Sequence, residues 1–459
     1  MKTVPLSLLA HWADGELRGD DVVVDAITND TRSLVPGSLY VALRGERFDG
    51  HDFAYDAAMR GASALLVERA VDVELPQVIV ADAYVALARI AGNLQRDRGA
   101  KVVAITGSNG KTSVKSLLQS ILQLAGTSYV NPGNRNNEVG LPLAVIDAPD
   151  DADFAVYEMG AGKPGDIAYL AEIATPDVAL VNNVAAAHLE KLGSLMGVAE
   201  TKGAIYSALP ATCTAVINAD DAFAEYFATR AEGRRVIRFG LDSSADVTAR
   251  DLQSSNHGTQ FRLLTPQGEV AVTLPLPGRH SVLNALAATS LALACNVSLA
   301  TIAEGLAAAQ PVPGRQVSHT LENGALLIDD SYNANPGSLS AAIDTLVVGG
   351  GQSWLVLGDM RELGVGAEAL HADAGRRARA AGIRRVYTLG PLSAAASTAF
   401  GDGARSFESH AALIDALRAD LRSTPAAGLR LLVKGSRSSA MDRVVSTLLS
   451  TPEDASHAA

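Results

Sequence analysis

AITGSNGKTS, residues 104–113, is the stretch that decides the fold. The apolar run VVAIT (102–106) enters two glycines, Gly107 and Gly110, and Lys111 and Thr112 then open a helical pattern that runs to about Ala125. A strand, a glycine turn and a helix in that order make an anion cradle. Glycines let backbone N–H groups turn inward around phosphate oxygens, and the helix N-terminus adds partial positive charge. Thr106, Gly107, Ser108, Asn109, Gly110, Lys111, Thr112 and Ser113 are therefore the candidate nucleotide contacts. Lys111 would meet the β- and γ-phosphates, and the Thr112 hydroxyl would bind Mg²⁺. The general pattern G-x-x-x-x-G-K-[ST] expects glycine at position 105, where this chain has Ile105.

Outward from the cradle, FAVYEMG (154–160), VALVNNV (178–184) and AVINAD (215–220) alternate with helical stretches, which predicts a parallel sheet covered on both faces. VIRFG, ADVTARDLQ, TQFRLLTP and EVAVTLPLPG, beyond residue 235, read as antiparallel strands appended to that sheet. Helices are expected over Ser281–Cys295 and Leu299–Ala309, followed by the stiff linker PVPGR (311–315). ALLIDD (325–330), SWLVLGD (353–359), RVYTLG (385–390) and RLLVKGS (430–436) repeat the strand–helix rhythm as a second, Rossmann-like doubly wound sheet. Before the cradle, LYVAL (39–43), ALLVE (64–68) and QVIVAD (77–82) read as strands of a small α/β unit. The expected architecture is α/β in three domains, 1–82, 83–313 and 314–459, with a disordered tail from Thr451.

Composition removes some classes. A net charge of −12, from 50 acidic and 38 basic side chains, has the wrong sign for a nucleic-acid-wrapping protein. Cys213 and Cys295 make no disulfide framework, so a reducing compartment is expected. The early apolar stretch is too short for an export signal, and Ser281–Cys295 falls short of the roughly 18–20 apolar residues that span a bilayer. No membrane partner and a cytoplasmic location follow as expectations. The cradle by itself does not separate motors, kinases and ligases.

Further stretches narrow the field. GNRNNEVGLPL (133–143), VYEMGAGKPGDIAYL (156–170), NNVAAAHLEKLGS (182–194) and TKGAIY (201–206) follow T-G-x-x-G-K-T in order. PLPGRHSVLNALAA (275–288), VPGR (312–315), DDSYNANP (329–336) and VKGSR (433–437) complete the set. With Ile105 at the usual glycine position, the chain resembles the Mur ligase and folylpolyglutamate synthetase superfamily. TNDTRSLVPGSLYVALRGERFDGHDF (28–53) is similar to a UDP-binding domain within it.

The resemblance implies an ATP- and Mg²⁺-dependent ligase that activates a carboxylate as an acyl phosphate and couples it to an amine. It implies UDP-N-acetylmuramoyl-tripeptide as the acid, D-alanyl-D-alanine as the amine, and a monomer. Lys111, Glu158, His188 and Lys202 become the catalytic candidates, with Thr112, Glu158, His188 and Lys202 serving metal sites. It further implies that Lys202 is carried as N6-carboxylysine, although the acidic residue the family usually has two positions later is Ala204. On the nucleotide side it implies His280, Asn284, Arg315, Asp329, Tyr332 and Asn335. For substrates it implies Thr31, Arg32, Arg44, Gly45, Asp49, His51, Asn137, Lys434, Ser436 and Arg437. The nearest alternatives are the ligase adding the third peptide residue and a folate-polyglutamylating enzyme. An ATP-driven switch that forms no bond is a more distant one.

Overall fold

A computed structural model describes residues 1–450 apart from Asn256 and Gly349; the tail expected to be disordered lies outside the described residues. The central sheet has six parallel strands in the order Arg235–Phe239, Thr214–Asn218, Val178–Val181, Lys101–Thr106, Phe154–Glu158 and Ser128–Val130. Every side chain of Val178–Val181 is buried, which is why that run carries no polar alternation. From Lys101–Thr106 the chain first builds the Phe154–Glu158 side and then crosses to the Val178–Val181 side. A crevice opens at such a reversal, beyond the carboxyl ends of the strands. Glu158 pairs in register with Ile105, so the carboxylate and the cradle leave adjacent strands at the same height.

Two expectations about the sheets need correcting. The strand Arg235–Phe239 is not antiparallel: it joins the central sheet as a parallel edge strand. Thr248–Ser255, Gly258–Thr265 and Gly268–Leu274 form a separate three-stranded antiparallel sheet, touching the first through a bridge between Phe239 and Val247. Alternation of buried and exposed residues reveals antiparallel strands but not which sheet they join.

The N-terminal sheet runs Glu16–Arg18, Gln77–Ile79, Ala64–Val67, Ser38–Val41 and Ala26–Thr28, parallel except for the first pair. Asp82 then caps the helix Ala83–Arg96 by accepting from the Tyr84 and Val85 N–H groups. That helix packs on Leu6–Ala13 on one side and on Gly140–Asp147 and Asp166–Ala174 on the other. One apolar core consequently runs without a break from Val4 to Ala231.

The C-terminal sheet has the order Val317–Thr320, Leu326–Asp330, Leu429–Lys434, Gln352–Gly358, Arg385–Leu389 and Ala404–Phe407. Its first strand is antiparallel and the rest are parallel. The buried apolar clusters here begin at Leu321, while those before the linker end at Ala309. The polar edge strands Val317–Thr320 and Ala404–Phe407 have no sequence signal strong enough to register beside the four central apolar runs. No helix among the described residues is long and apolar enough to cross a membrane.

Candidate active site

A cleft of about 930 Å³ lies between the carboxyl ends of the central strands and the C-terminal domain. Ile105 is wholly buried and still part of its strand, so no glycine is needed there. The turn begins at Gly107 (φ 148°) and ends at Gly110 (φ 79°), which caps the helix Lys111–Leu122. A Cβ on Gly110 would lie 2.5 Å from Asn182 Nδ2 and Asn284 Oδ1, so both backbone angle and space demand glycine. The loop is braced from the next strand end. Asn183 accepts from the Asn109 N–H (2.8 Å) through its side chain and from the Ser108 N–H (3.0 Å) through its carbonyl.

Lys111 Nζ donates to the Gly107 carbonyl at 2.8 Å. Desolvation lowers its pKa; the Glu158 carboxylate opposes this and Arg315 adds to it. The Thr112 hydroxyl donates to Glu158 Oε2 (2.9 Å) and accepts from Arg315 Nη2 (2.9 Å). Glu158 is 4% exposed, and Lys115 Nζ sits 3.3 Å from its Oε2 while also donating to the Asn131 carbonyl. Asn136 Nδ2 donates to Oε1 at 3.0 Å. Burial alone would raise the Glu158 pKa, but Lys111, Lys115, Thr112 and Arg315 together bring it below the ordinary carboxylate value.

Two hard oxygens, Thr112 Oγ1 and Glu158 Oε2, thus face a place already approached by a guanidinium and an ammonium. That donor set fits a Mg²⁺ ion, which takes one or two carboxylates and completes its shell from phosphate and water. Among the described residues no group of three or more His, Cys, Asp or Glu side chains could hold a metal unaided. Glu158→Ala strands Lys115, itself 6% exposed, without a counter-charge. Denaturant unfolding in the absence of nucleotide should show a loss of about 3–5 kcal/mol.

His188 caps the short helix Leu189–Leu192 in the left-handed region (φ 56°) and holds Glu362 of the C-terminal domain, Nδ1 to Oε2 at 2.5 Å. Desolvation lowers its pKa; Glu362 opposes this, and Lys202 and Lys111 add to it. Lys202 is 1% exposed on the helix Leu195–Ser207, and desolvation, with Lys111, lowers its pKa to about 7.

The C-terminal domain closes the cleft with polar contacts. Asn335 Nδ2 donates to Asn109 Oδ1 at 2.7 Å, and Thr345 Oγ1 lies 3.5 Å from His280 Nδ1. Burial, and secondarily Lys434, lower the His280 pKa to about 4. Arg315 stacks over Tyr332 at 4.4 Å, with Arg437 near the same ring at 5.7 Å. Lys434 is held by Asp330 (2.6 Å) and the Asn333 carbonyl (2.9 Å).

Of the residues expected from sequence, Ser108 to Ser113, Asn137, Glu158, His188, His280, Asn284, Arg315, Tyr332, Asn335, Lys434 and Arg437 line the cleft. Thr106 does not: its hydroxyl is spent on the Met159 carbonyl at 2.9 Å. Gly107 likewise turns its carbonyl to Lys111. Asp330 faces the cleft in place of Asp329, whose carboxylate is turned to Ser331. Ser436 is buried and donates to the Asp359 carbonyl at 2.6 Å.

The N-terminal candidates lie apart from the cleft, to which residues 1–82 contribute only Glu46. Arg32 pairs with Asp30 in the open, and Gly45 bonds Phe48 through its backbone. The Arg44 carbonyl accepts from Tyr84, and Arg60 foremost, with the Thr31 hydroxyl next, lowers the Asp56 pKa. His51 is sealed between Asp49 (2.6 Å) and the Glu68 N–H (2.9 Å). The Asp49–His51 pair therefore pins its own loop. Lys115, Asn131, Asn183, Asp330 and Glu362 were not anticipated. Lys115 had a signal, being one helical turn past Lys111 and so on the same face.

Mur ligase family, catalytic domain, matches residues 23–110; Mur ligase middle domain matches 105–292; Mur ligase, glutamate ligase domain, matches 314–437. The chain belongs to the Mur ligase family. Among its relatives is the UDP-N-acetylmuramoyl-tripeptide–D-alanyl-D-alanine ligase of Escherichia coli (strain K12), 46% identical over 98% of this chain and 99% of that one. The crystal structure of MurF from Acinetobacter baumannii superposes with a TM-score of 0.93 at 32% identity, covering 98% of this Mur ligase and all of that chain. MurF ligase from Thermotoga maritima in complex with ADP gives 0.84 at 28% identity, over 93% and 97% of the two chains.

Proposed function

We propose that this Mur ligase joins D-alanyl-D-alanine to UDP-N-acetylmuramoyl-tripeptide at the expense of ATP, as a cytoplasmic step of peptidoglycan precursor synthesis. The observation that carries the reading is the cleft itself. It sets a phosphate cradle, an ionised buried carboxylate beside a hydroxyl, and cationic groups of a second domain around one space. Full-length similarity to ligases named for that substrate and that dipeptide supplies the specificity.

A carboxylate resists attack by an amine because it is anionic and has no good leaving group. Transfer of the γ-phosphoryl group to the acid, with departure of ADP, removes both obstacles. The amine then adds to the acyl carbon, and the tetrahedral intermediate expels phosphate. Lys111 is placed to balance charge on the transferring group, and the cradle N–H groups fix its line of approach. Thr112 and Glu158 would hold Mg²⁺, with His188 and a carbamylated Lys202 at a second ion; the metal supplies charge neutralisation on the phosphates. A Lys202 pKa lowered to about 7 fits this assignment, since only the unprotonated form takes up CO₂ and much of the amine is then unprotonated near neutral pH. Arg315, Asp330, Lys434 and Arg437 bring the C-terminal side of the cleft against the acyl phosphate and the incoming dipeptide, and closure keeps water from a hydrolysable intermediate.

We assign the labour to 1–82 for the UDP-sugar, 83–313 for ATP and 314–459 for the dipeptide. We place the reaction in the cytoplasm, where ATP is supplied, and read the enzyme as a monomer. Mass spectrometry of the product from UDP-tripeptide, ATP and D-alanyl-D-alanine should show the coupled pentapeptide, with phosphate released only when both partners are present. Phosphate release without the acid would instead mark an ATP-driven switch.

A further inference from the structure

Glu362 lies outside every stretch that identified the site, yet it is the residue through which the C-terminal domain touches His188. It stands in the left-handed region (φ 63°) between two buried anchors, Met360 and Leu363. The Met360 N–H donates to Nε2 of the fully buried His371 at 2.9 Å, and the Asp359 carbonyl accepts from Ser436 and Ser439. The turn bearing Glu362 is therefore rigid, although the Glu362 side chain itself is 53% exposed. Its backbone carbonyl accepts from the Glu190 N–H at 3.3 Å, and Gly364 lies close against the Glu190 backbone. The contact is thus made at two levels, backbone on Glu190 and carboxylate on His188.

A carboxylate can only accept, so the 2.5 Å contact places the proton of His188 on Nδ1 and leaves the Nε2 lone pair free. We infer that Glu362 is a positioning residue: on seating of the C-terminal domain it fixes the tautomer and ring orientation of His188, so that the imidazole is ready for the second cation only in the closed enzyme. This rests on the role proposed above for His188. Carboxylates that orient a ligating imidazole in this way contribute about 10- to 100-fold to metal affinity or activity.

Three measurements on the full-length protein test the assignment. Long-range proton–nitrogen spectra of histidine-labelled protein at pH 8, with the His188 signals identified by their loss in His188→Ala, should show the Nδ1–H tautomer in wild type. Glu362→Ala should give a mixture of tautomers, and Glu362→Gln, whose amide oxygen still accepts, should keep the wild-type pattern. Calorimetry should find Mg²⁺ binding at the second site, with the first filled in the complex with a non-hydrolysable ATP analogue, weakened about tenfold in Glu362→Ala and less than about threefold in Glu362→Gln. In coupling assays the losses from Glu362→Ala and His188→Ala should not multiply in the double variant. Unchanged tautomer and Mg²⁺ affinity in Glu362→Ala, or fully multiplicative losses, would overturn the inference. Wild-type product formation in parallel shows separately whether the ligase reading stands.

Discussion

Lys111→Ala is expected to lower the rate of peptide coupling about 10²- to 10³-fold, the usual cost of removing one preorganised charge from a reacting group. Its ammonium bonds the Gly107 carbonyl inside the loop, and Arg315 and Glu158 lie close enough to shift its pKa. The charge is thus held before any phosphate arrives and costs little reorganisation when one does. Lys111 belongs to no apolar cluster, so the variant should remain folded, as thermal unfolding can show. Single-turnover coupling with saturating ATP separates this chemical effect from weaker nucleotide binding. Coupling at the wild-type rate would leave the cradle without its assigned role.

Lys202→Met should do two opposite things. Coupling should fall about 100-fold or more, while the folded state should gain about 1–3 kcal/mol at pH 7 in bicarbonate-free buffer. The side chain is almost fully buried, and no hydrogen bond or ion pair to its amine is found among the described residues, so a methionine of similar length removes a largely desolvated cation. The pH dependence has a definite sign. With its pKa lowered from 10.5 to about 7, the folded lysine binds fewer protons than the unfolded one between those values. Wild-type stability therefore gains from this group as pH rises through that window. The advantage of methionine should be largest below about pH 7 and shrink toward 10.5, as read by denaturant titration across that range. A variant less stable than wild type at pH 7 would mean that the lysine has a partner in solution.

Local chemistry explains what could be read in advance. The cradle was legible because its strand, glycines and helix start are consecutive, and even Ile105 proved to be ordinary strand. Glu158 was legible because it ends an apolar run. The choice between Asp329 and Asp330 was not, since neighbouring residues on a strand face opposite sides and a resemblance fixes the motif but not the facing. Ser436 sits within a matching stretch, yet its hydroxyl serves the backbone of Asp359. Glu362 could not be found at all: it meets His188 across 174 positions of chain, and nothing local marks such a pair. The N-terminal candidates share a second difficulty. Asp49 and His51 look like ligand groups in one dimension, but in three they satisfy each other.

The uninterrupted apolar packing from Val4 to Ala231, set against a C-terminal domain held by hydrogen bonds and one carboxylate–imidazole pair, bears on the order of events during turnover. Separating the first two units would expose hydrocarbon to water, whereas lifting the third merely trades its polar bonds for hydration. With the sugar on 1–82 and the phosphates on 83–313, as proposed, the gap between the two ends is a fixed ruler. With the ligands distributed over the domains as proposed, and with PVPGR as the proposed hinge, acid and nucleotide load onto the fixed part and the amine arrives on the moving one.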